Sequence, residues 1–267
     1  MASGPANLHE GFRDGSSAEA EALVNFLEEA DRLPGFVAVR RAMHAAIDVG
    51  PVMRLLDAGC GIGLEAHRLA SEHPDAHVVG LDRNAELLHV ARSRSETQTD
   101  NLEWIEGDLA DLRLDDASFD VVRTERVLMY LPGPSFAEVV HRLVRVLRTG
   151  GRLVLFELDY GATILPDAGH DSAVVRRAHA ALERSLPQPW AGRTLPELLA
   201  DRGLLDVTAS PYSFTVSEPV WRRIVHDTLH DVDPAVSAWL ADSAQRVADG
   251  GLSAVFTGIL TTARVPG

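Results

Sequence analysis

A second cysteine is missing. Cys60 is the single thiol of the chain, so no intramolecular disulfide can form, and a reducing, cytoplasmic setting is expected. No apolar run approaches the roughly 18 residues of a membrane-spanning helix, so no span is expected. The opening stretch, MASGPANLHEGFRDGSS, lacks the apolar segment of a secretory signal. Lysine runs are absent as well; arginine carries the positive charge, in doublets such as Arg40-Arg41 and Arg222-Arg223 rather than in clusters. With a formal net charge of −14, the molecule repels a phosphate backbone, and nucleic acid is not expected as a partner. No His-x-x-x-His pair or cysteine cluster has ligand spacing, so no metal is expected. A small molecule is the expected partner, and a monomer or a homodimer the expected state.

Hydrophobic residues make up 46% of the 267, enough for a full core without disulfide or metal staples. Residues 1–16 read as a Gly-, Ser- and Ala-rich arm. A helix is expected from Ser17 to the Pro34-Gly35 break, and a second over 36–49, ended by Gly50-Pro51. Strand-like runs at 52–58, 76–81, 101–105, 119–124 and 151–158 then alternate with helical patterns at 63–73, 84–93 and 134–147. This alternation predicts parallel strands joined by right-handed crossovers, an α/β doubly wound sheet. Beyond Leu158 the alternation lapses. Helices are expected at 168–186, at 194–203 (started by Thr194 and Pro196), at 218–231 and at 234–248, with strands at 207–215 and 254–264.

The first strand runs through Leu55-Leu56-Asp57-Ala58 into Gly59-Cys60-Gly61-Ile62-Gly63. Glycines let the backbone turn tightly and approach a ligand, and the helix that follows offers unpaired N–H groups to an anion. A dinucleotide fingerprint would place a small residue at position 64, where this chain has Leu64, and the Gly-Lys-Ser/Thr ending of a P-loop is absent. Asp57, just before the loop, has the wrong charge for a pyrophosphate and the right one for an ammonium group. The second strand ends in Asp82, a carboxylate that can accept from two ribose hydroxyls. After the third comes Ile105-Glu106-Gly107-Asp108-Leu109, where Asp108 can accept from an adenine amino group while Leu109 covers the ring.

These three elements in this order resemble the class I S-adenosylmethionine-dependent methyltransferases. The similarity is greatest to the branch of the ubiquinone and menaquinone biosynthesis enzymes and of many bacterial natural-product methyltransferases. Phe119-Asp120-Val121-Val122, followed by Arg126-Val127-Leu128-Met129-Tyr130-Leu131, is similar to that branch's fourth strand and loop. Arg145-Val146-Leu147-Arg148-Thr149-Gly150-Gly151 resembles its RVLKPGG turn, with Thr149 in place of proline. The resemblance implies a Rossmann-like, doubly wound seven-stranded sheet, mostly parallel with the last strand antiparallel. Residues 1–49 would be an arm and lid helices, and 50–267 a methyltransferase domain with helical cap insertions near 160–205 and 216–250.

The resemblance also assigns S-adenosylmethionine as cofactor. Asp57, Gly59, Cys60, Gly61 and Gly63 would serve its methionine part, Cys60 as a small filler rather than a nucleophile. Asp82 and Arg83 would contact the ribose and adenine edge, and Gly107, Asp108 and Leu109 the adenine. Thr124 and Glu125 would line the pocket beside the sulfonium, and Arg40 would pair with the methionine carboxylate. Glu157, Asp159 and His226 are the candidates for a catalytic base, and Tyr130, Tyr160, His170, Trp190 and Trp221 for the substrate pocket. Phe26, Phe214 and Trp239 add apolar surface in the same segments. The expected reaction is methyl transfer to an O, N or C atom of a small hydrophobic or aromatic metabolite in natural-product biosynthesis. The alternatives are a cyclase or isomerase that binds the sulfonium without transferring methyl, or a binding protein without chemistry.

Overall fold

The computed structural model describes residues 17–47, 53–94, 100–216, 218–251 and 254–267. The expected arm at 1–16 and the Gly50-Pro51 break lie outside the described residues. Apolar runs that bury both faces build the central strands: β1 (Arg54–Ala58), β2 (His77–Asp82), β4 (Phe119–Glu125) and β5 (Leu147–Leu158). The half-covered β3 (Leu102–Glu106) and the largely exposed β6 (Leu205–Thr215) form the edges, and β7 (Val255–Arg264) lies inside the latter. The strand order is β3-β2-β1-β4-β5-β7-β6. β1 to β5 pair in parallel, whereas β7 is antiparallel to both β5 and β6. The expected mixed sheet is therefore the observed one. The Thr149-Gly150-Gly151 turn falls inside β5, where the register against β4 jumps from Phe119↔Leu147 to Val121↔Arg152. β5 thus starts four residues before the expected strand.

The helices are α1 (Ser17–Asp31), α2 (Pro34–Ala46), α3 (Leu64–Glu72), α4 (Ala85–Ser93), α5 (Gly133–Arg145), α6 (Ser172–Arg184), α7 (Ala191–Asp201), α8 (Glu218–Trp221), α9 (Asp227–Leu229) and α10 (Pro234–Ala248). A π turn, Arg222–His226, joins α8 to α9 where one continuous helix was expected. α7 begins a turn before Thr194, whose hydroxyl donates back to the Trp190 carbonyl at 3.0 Å as a mid-helix threonine does, instead of capping an N-terminus. None of the helices among the described residues is long and apolar enough to cross a membrane.

α2 starts at Pro34 and buries Phe36, Val39 and Met43, which share one face by their spacing. It packs on β5, β6 and β7, with the Phe36 ring 4.5 Å from Phe214 and 6.3 Å from Phe156. Each such side chain contributes about 1.5–3 kcal/mol when removed from water, so α2 is fixed to the sheet and is not the lid helix expected of residues 36–49. α7 likewise lies on β5, β6 and β7. The roof over the strand ends consists of α1, which meets α4 and α8, together with α6, α8, the π turn, α9 and α10. Trp221 and Trp239 are buried within that helical cap, and Trp239 Nε1 donates to the Pro166 carbonyl at 2.8 Å.

Candidate functional site

The strand order reverses at β1, whose neighbours are β2 on one side and β4 on the other. Connections leave in opposite directions there, and a crevice opens at the carboxyl ends. The loop after β1 enters this crevice. Gly59 N and Cys60 N donate to the Leu81 carbonyl at 2.7 and 3.0 Å, and Gly61 N donates to Asp82 Oδ2 at 2.7 Å. Gly59 and Gly61 have φ of +79° and +53°, a region that L side chains avoid. A Cβ on Gly59 would stand 2.4 Å from Val127 Cγ2, whereas one on Gly61 would meet, among the described residues, only Leu27 Cδ1, at 3.5 Å. Gly61 therefore offers bare backbone to the crevice. Gly63 does something else, because its Cβ would collide with Trp104 at 2.4 Å and Ala91 at 2.8 Å. It lets α3 close onto β3 and lines neither of the cavities described below, contrary to its expected ligand role. Cys60 Sγ packs toward Gly80, and burial pushes its thiol well up, away from the reactive thiolate.

An open cavity, about 1150 Å³ with its solvent-filled mouth included, follows the strand ends. On the β2–β3 side it is lined by Asp82, Arg83, Asn84, Leu87, Gly107, Asp108 and Leu109. Asp82 accepts from Asn84 N through Oδ1 at 2.9 Å and from Gly61 N through Oδ2. A carboxylate has about four lone-pair sites, so acceptor capacity is left on both oxygens. Asn84 is the cap of α4, accepting from Glu86 N and Leu87 N, so Asp82 is not needed for that task. Asp108 Oδ1 accepts from Ala110 N at 2.8 Å, and the buried Leu109 follows it. On the β4–β5 side the lining turns apolar: Val127, Met129, Tyr130, Leu131, Leu158 and Tyr160, roofed by Phe26, Leu27 and Ile224. Burial pushes the Tyr130 and Tyr160 hydroxyls up from their ordinary pKa.

A smaller chamber, about 440 Å³ with its open mouth included, adjoins the loop, lined by Asp31, Arg40, Asp57, Cys60, Glu65, Arg123, Glu125 and Arg126 among others. Asp57 and Arg123 are register partners on β1 and β4, which places their side chains together, Arg123 Nη1 at 2.6 Å from Asp57 Oδ1. Arg123 Nη2 reaches Glu125 at 2.8 Å, Arg40 approaches both Glu125 oxygens at 3.1 and 3.2 Å, and Arg126 Nη2 lies 3.2 Å from Glu125 Oε1. Arg40 also pairs with Asp31 at 2.9 Å, so it is bound within this network instead of standing ready for a ligand carboxylate. Arg68 ties Asp31 to Glu65, and His44 bridges Glu65 and Glu72 at 2.8 Å each. Burial alone would raise Glu125, but Arg40, Arg126 and Arg123 hold it at about 2. Asp57 has one close guanidinium, and burial with the charges of Glu65 and Glu125 pushes it up to about 6. Its Oδ2 is buried without a hydrogen-bond partner among the described residues.

Several expected roles do not survive the geometry. Glu157 is fully buried and accepts from Val127 N (3.0 Å), Leu128 N (2.9 Å) and Met129 N (3.2 Å). It anchors the loop after β4 and lines neither of these cavities. Thr124 is buried behind the strand end, its hydroxyl 3.5 Å from Glu157 Oε1. Asp159 is buried against Arg193, 2.6 Å from its Nε. His226 ends the π turn beside Asp227 and stacks on His230, outside the cavity lining. His170 pairs with Asp242. Trp190 is 51% exposed and donates to Glu183, while Trp221 is packed inside the cap. The structure does bring Gly59, Gly61, Asp82, Arg83, Gly107, Asp108, Leu109, Glu125, Tyr130 and Tyr160 around one cavity. Phe36, Val127, Met129 and Ile224 were missed, and so was Arg126, which lines both cavities. The apolar run 127–131 was the available signal for part of this lining.

A family model described as a methyltransferase domain matches residues 55–151. An uncharacterized 37.1 kDa protein in a transposon of Streptomyces fradiae is 33% identical over 80% of this chain and 61% of its own length. Trans-aconitate 2-methyltransferase of Deinococcus radiodurans is 30% identical over 67% and 69% respectively. The 27-O-demethylrifamycin SV methyltransferase of Amycolatopsis mediterranei is 34% identical over 56% and 50%. The chain thus spans between half and about seven-tenths of these relatives. Among solved structures, phosphoethanolamine N-methyltransferase 2 of Haemonchus contortus in complex with S-adenosyl-L-methionine superposes with a TM-score of 0.62 at 16% identity, covering 99% of this chain and 61% of the other. The [4+2]-cyclase SpnF gives 0.55 at 22% identity, covering 86% and 81%. The sheet order, the glycine loop and these similarities lead to one family, and the chain belongs to the class I S-adenosylmethionine-dependent methyltransferases.

Proposed function

We propose that the chain transfers a methyl group from S-adenosylmethionine to an apolar small molecule. The observation that carries this reading is the division of one cavity by the sheet order: carboxylates at the β2–β3 end, bare glycine backbone at β1, and apolar side chains at the β4–β5 end. The residues fit the cofactor at three points. Gly61 has room where a Cβ would otherwise stand, Asp82 keeps lone pairs for ribose hydroxyls, and Asp57 Oδ2 lacks a partner beside the polar chamber. Asp108, Leu109, Gly107 and Arg83 would frame the adenine, and Gly59, Asp57 and Glu125 the methionine part. When bound, the cofactor supplies a methyl group on a sulfonium, an electrophile that needs no protein nucleophile.

The chain's own residues then position and desolvate. Met129, Tyr130, Leu158, Tyr160 and Ile224 would hold the acceptor against the methyl, with Phe26 and Leu27 of α1 excluding water from above. A role in natural-product biosynthesis and a cytoplasmic setting are in keeping with the rifamycin methyltransferase among the relatives and with the single thiol. Calorimetry is expected to show S-adenosylmethionine binding, weakened at least about tenfold by Asp82→Ala, a loss on the scale of a hydrogen-bonded charged group. An acceptor screen is expected to release S-adenosylhomocysteine. Binding without any release would favour a non-transferring use of the sulfonium.

A further inference from the structure

Among the described residues, the acceptor end of the cavity has no free base, and a guanidinium stands at its border. Among the described residues that line the cavity, the carboxylates are Asp82 and Asp108 at the β2–β3 side and Glu125. Glu125 is shared by Arg40, Arg123 and Arg126 and stays ionised, a poor proton acceptor. No histidine lines the cavity among the described residues, and the two tyrosines are pushed away from ionisation. Arg40 and Arg123 each have a further acidic partner, Asp31 and Asp57. Arg126 has Glu125 as its one ion-pair partner among the described residues, and its Nε is buried without a hydrogen-bond partner there. The guanidinium carbon sits 4.2 Å from the centroid of the Phe36 ring, at the junction of both cavities. The backbone holds it there at φ +57°, an uncommon conformation for arginine.

A cation without a base suits an acceptor that is already an anion at neutral pH. We propose that the acceptor is an apolar carboxylic acid, bound as its carboxylate by Arg126 and converted to a methyl ester; this rests on the methyl-transfer reading above. A lone pair of the carboxylate oxygen forms the new O–CH₃ bond as the methyl–sulfur bond breaks, and the bonding pair returns to sulfur as a neutral thioether. No proton changes hands, so no base is needed. An alcohol would have to lose a proton at the site, and an ammonium would have to lose one before entering beside a guanidinium. Arg126 is suited to the task because its fork matches a carboxylate in two-point geometry.

The test measures binding and product together. Calorimetry on protein loaded with S-adenosylhomocysteine would compare octanoate, phenylacetate and cinnamate with their amides, alcohols and amines. The acids are expected to bind at least about tenfold tighter than their neutral or cationic counterparts, the scale of one charge-assisted hydrogen bond. Arg126→Gln is expected to remove that preference while leaving S-adenosylhomocysteine affinity intact, and Arg126→Lys to restore part of it. With S-adenosylmethionine, the methylated product is expected to be an ester that alkali cleaves to methanol. The proposal is overturned if the alcohols or amines bind as well as the acids. It also fails if the preference survives in R126Q, or if R126Q loses S-adenosylhomocysteine along with the acids, since the guanidinium would then hold the cofactor. Failure of wild-type protein to bind S-adenosylhomocysteine would instead overturn the methyl-transfer reading itself.

Discussion

Gly61 and Gly63 sit two residues apart in one motif and are constrained from opposite sides. A side chain at Gly61 projects into the crevice, whereas one at Gly63 strikes Trp104 and Ala91. Gly61→Val is therefore expected to keep the fold, losing about 1–2 kcal/mol for a β-branched residue at positive φ, while S-adenosylmethionine binding in calorimetry drops at least tenfold. Gly63→Ala is expected to behave in reverse. Overpacking would cost about 1–3 kcal/mol in urea unfolding, with cofactor affinity retained by the folded protein. Glu157 offers a second residue-scale test. Glu157→Ala leaves three buried backbone N–H groups without their acceptor, a loss of about 3 kcal/mol or more that chemical denaturation would register. The loop glycines and the carboxylates at 82 and 108 were legible in the sequence because strand ends are local features. The base candidates were not, because a position near the end of β5 does not say which way a side chain points. Glu157 faces the loop backbone, and Asp159, two residues on, is taken by Arg193 from a helix far along the chain. Arg126 was quoted in the loop motif, yet its reach into both cavities depends on a left-handed backbone that no residue type announces.

At the scale of elements, α1 is held over the site by charge at its C-terminal end. Glu28 pairs with Arg94 of the α4 end, and Asp31 with Arg68 of α3 and Arg40 of α2. Phe26 and Leu27 hang from it into the cavity. Asp31→Ala is expected to loosen this roof, which hydrogen exchange would report as faster exchange in residues 17–31 with the β1–β2 core unchanged. If exchange in 17–31 is unaltered, the apolar contacts alone hold α1. The difference between α1 and α2 also marks what sequence periodicity can convey. Phe36, Val39 and Met43 declare that α2 has a buried face, but the pattern does not say whether sheet or ligand meets it. Only the partner strands, more than a hundred residues away, decide that.

Over the whole molecule, the buried ion network gives stability a definite pH dependence. Glu125 is held at about 2 and Glu65 is also lowered, where burial alone would raise both, by their cationic partners. Their contribution is present above the unfolded value near 4.5 and is lost as pH falls toward 2. Asp57 at about 6 and Glu157 at about 7 are raised chiefly by burial. What they contribute is present below their unfolded values and is lost as pH rises through 6 to 7. His44, raised by its hydrogen bond to Glu65, adds stability below 6.5 that is lost above its folded pKa. Thermal unfolding is therefore expected to shift upward on moving from pH 8 to about pH 5 and downward below about pH 4. Glu157→Gln, which cannot ionise, should flatten the limb between about 4.5 and 7. The cap carries a different kind of sensitivity. The π turn at Arg222–His226 holds one residue more than an α-helical turn would, and Ile224 reaches the cavity from within it. Removing a single residue there would let α8 and α9 run on as one α-helix, with α9 keeping nearly its present orientation and the side chains of the turn itself, Ile224 among them, re-aimed. On the methyl-transfer reading proposed above, acceptor choice is thus open to change through chain length, one codon at a time, while the residues assigned to the cofactor stay as they are.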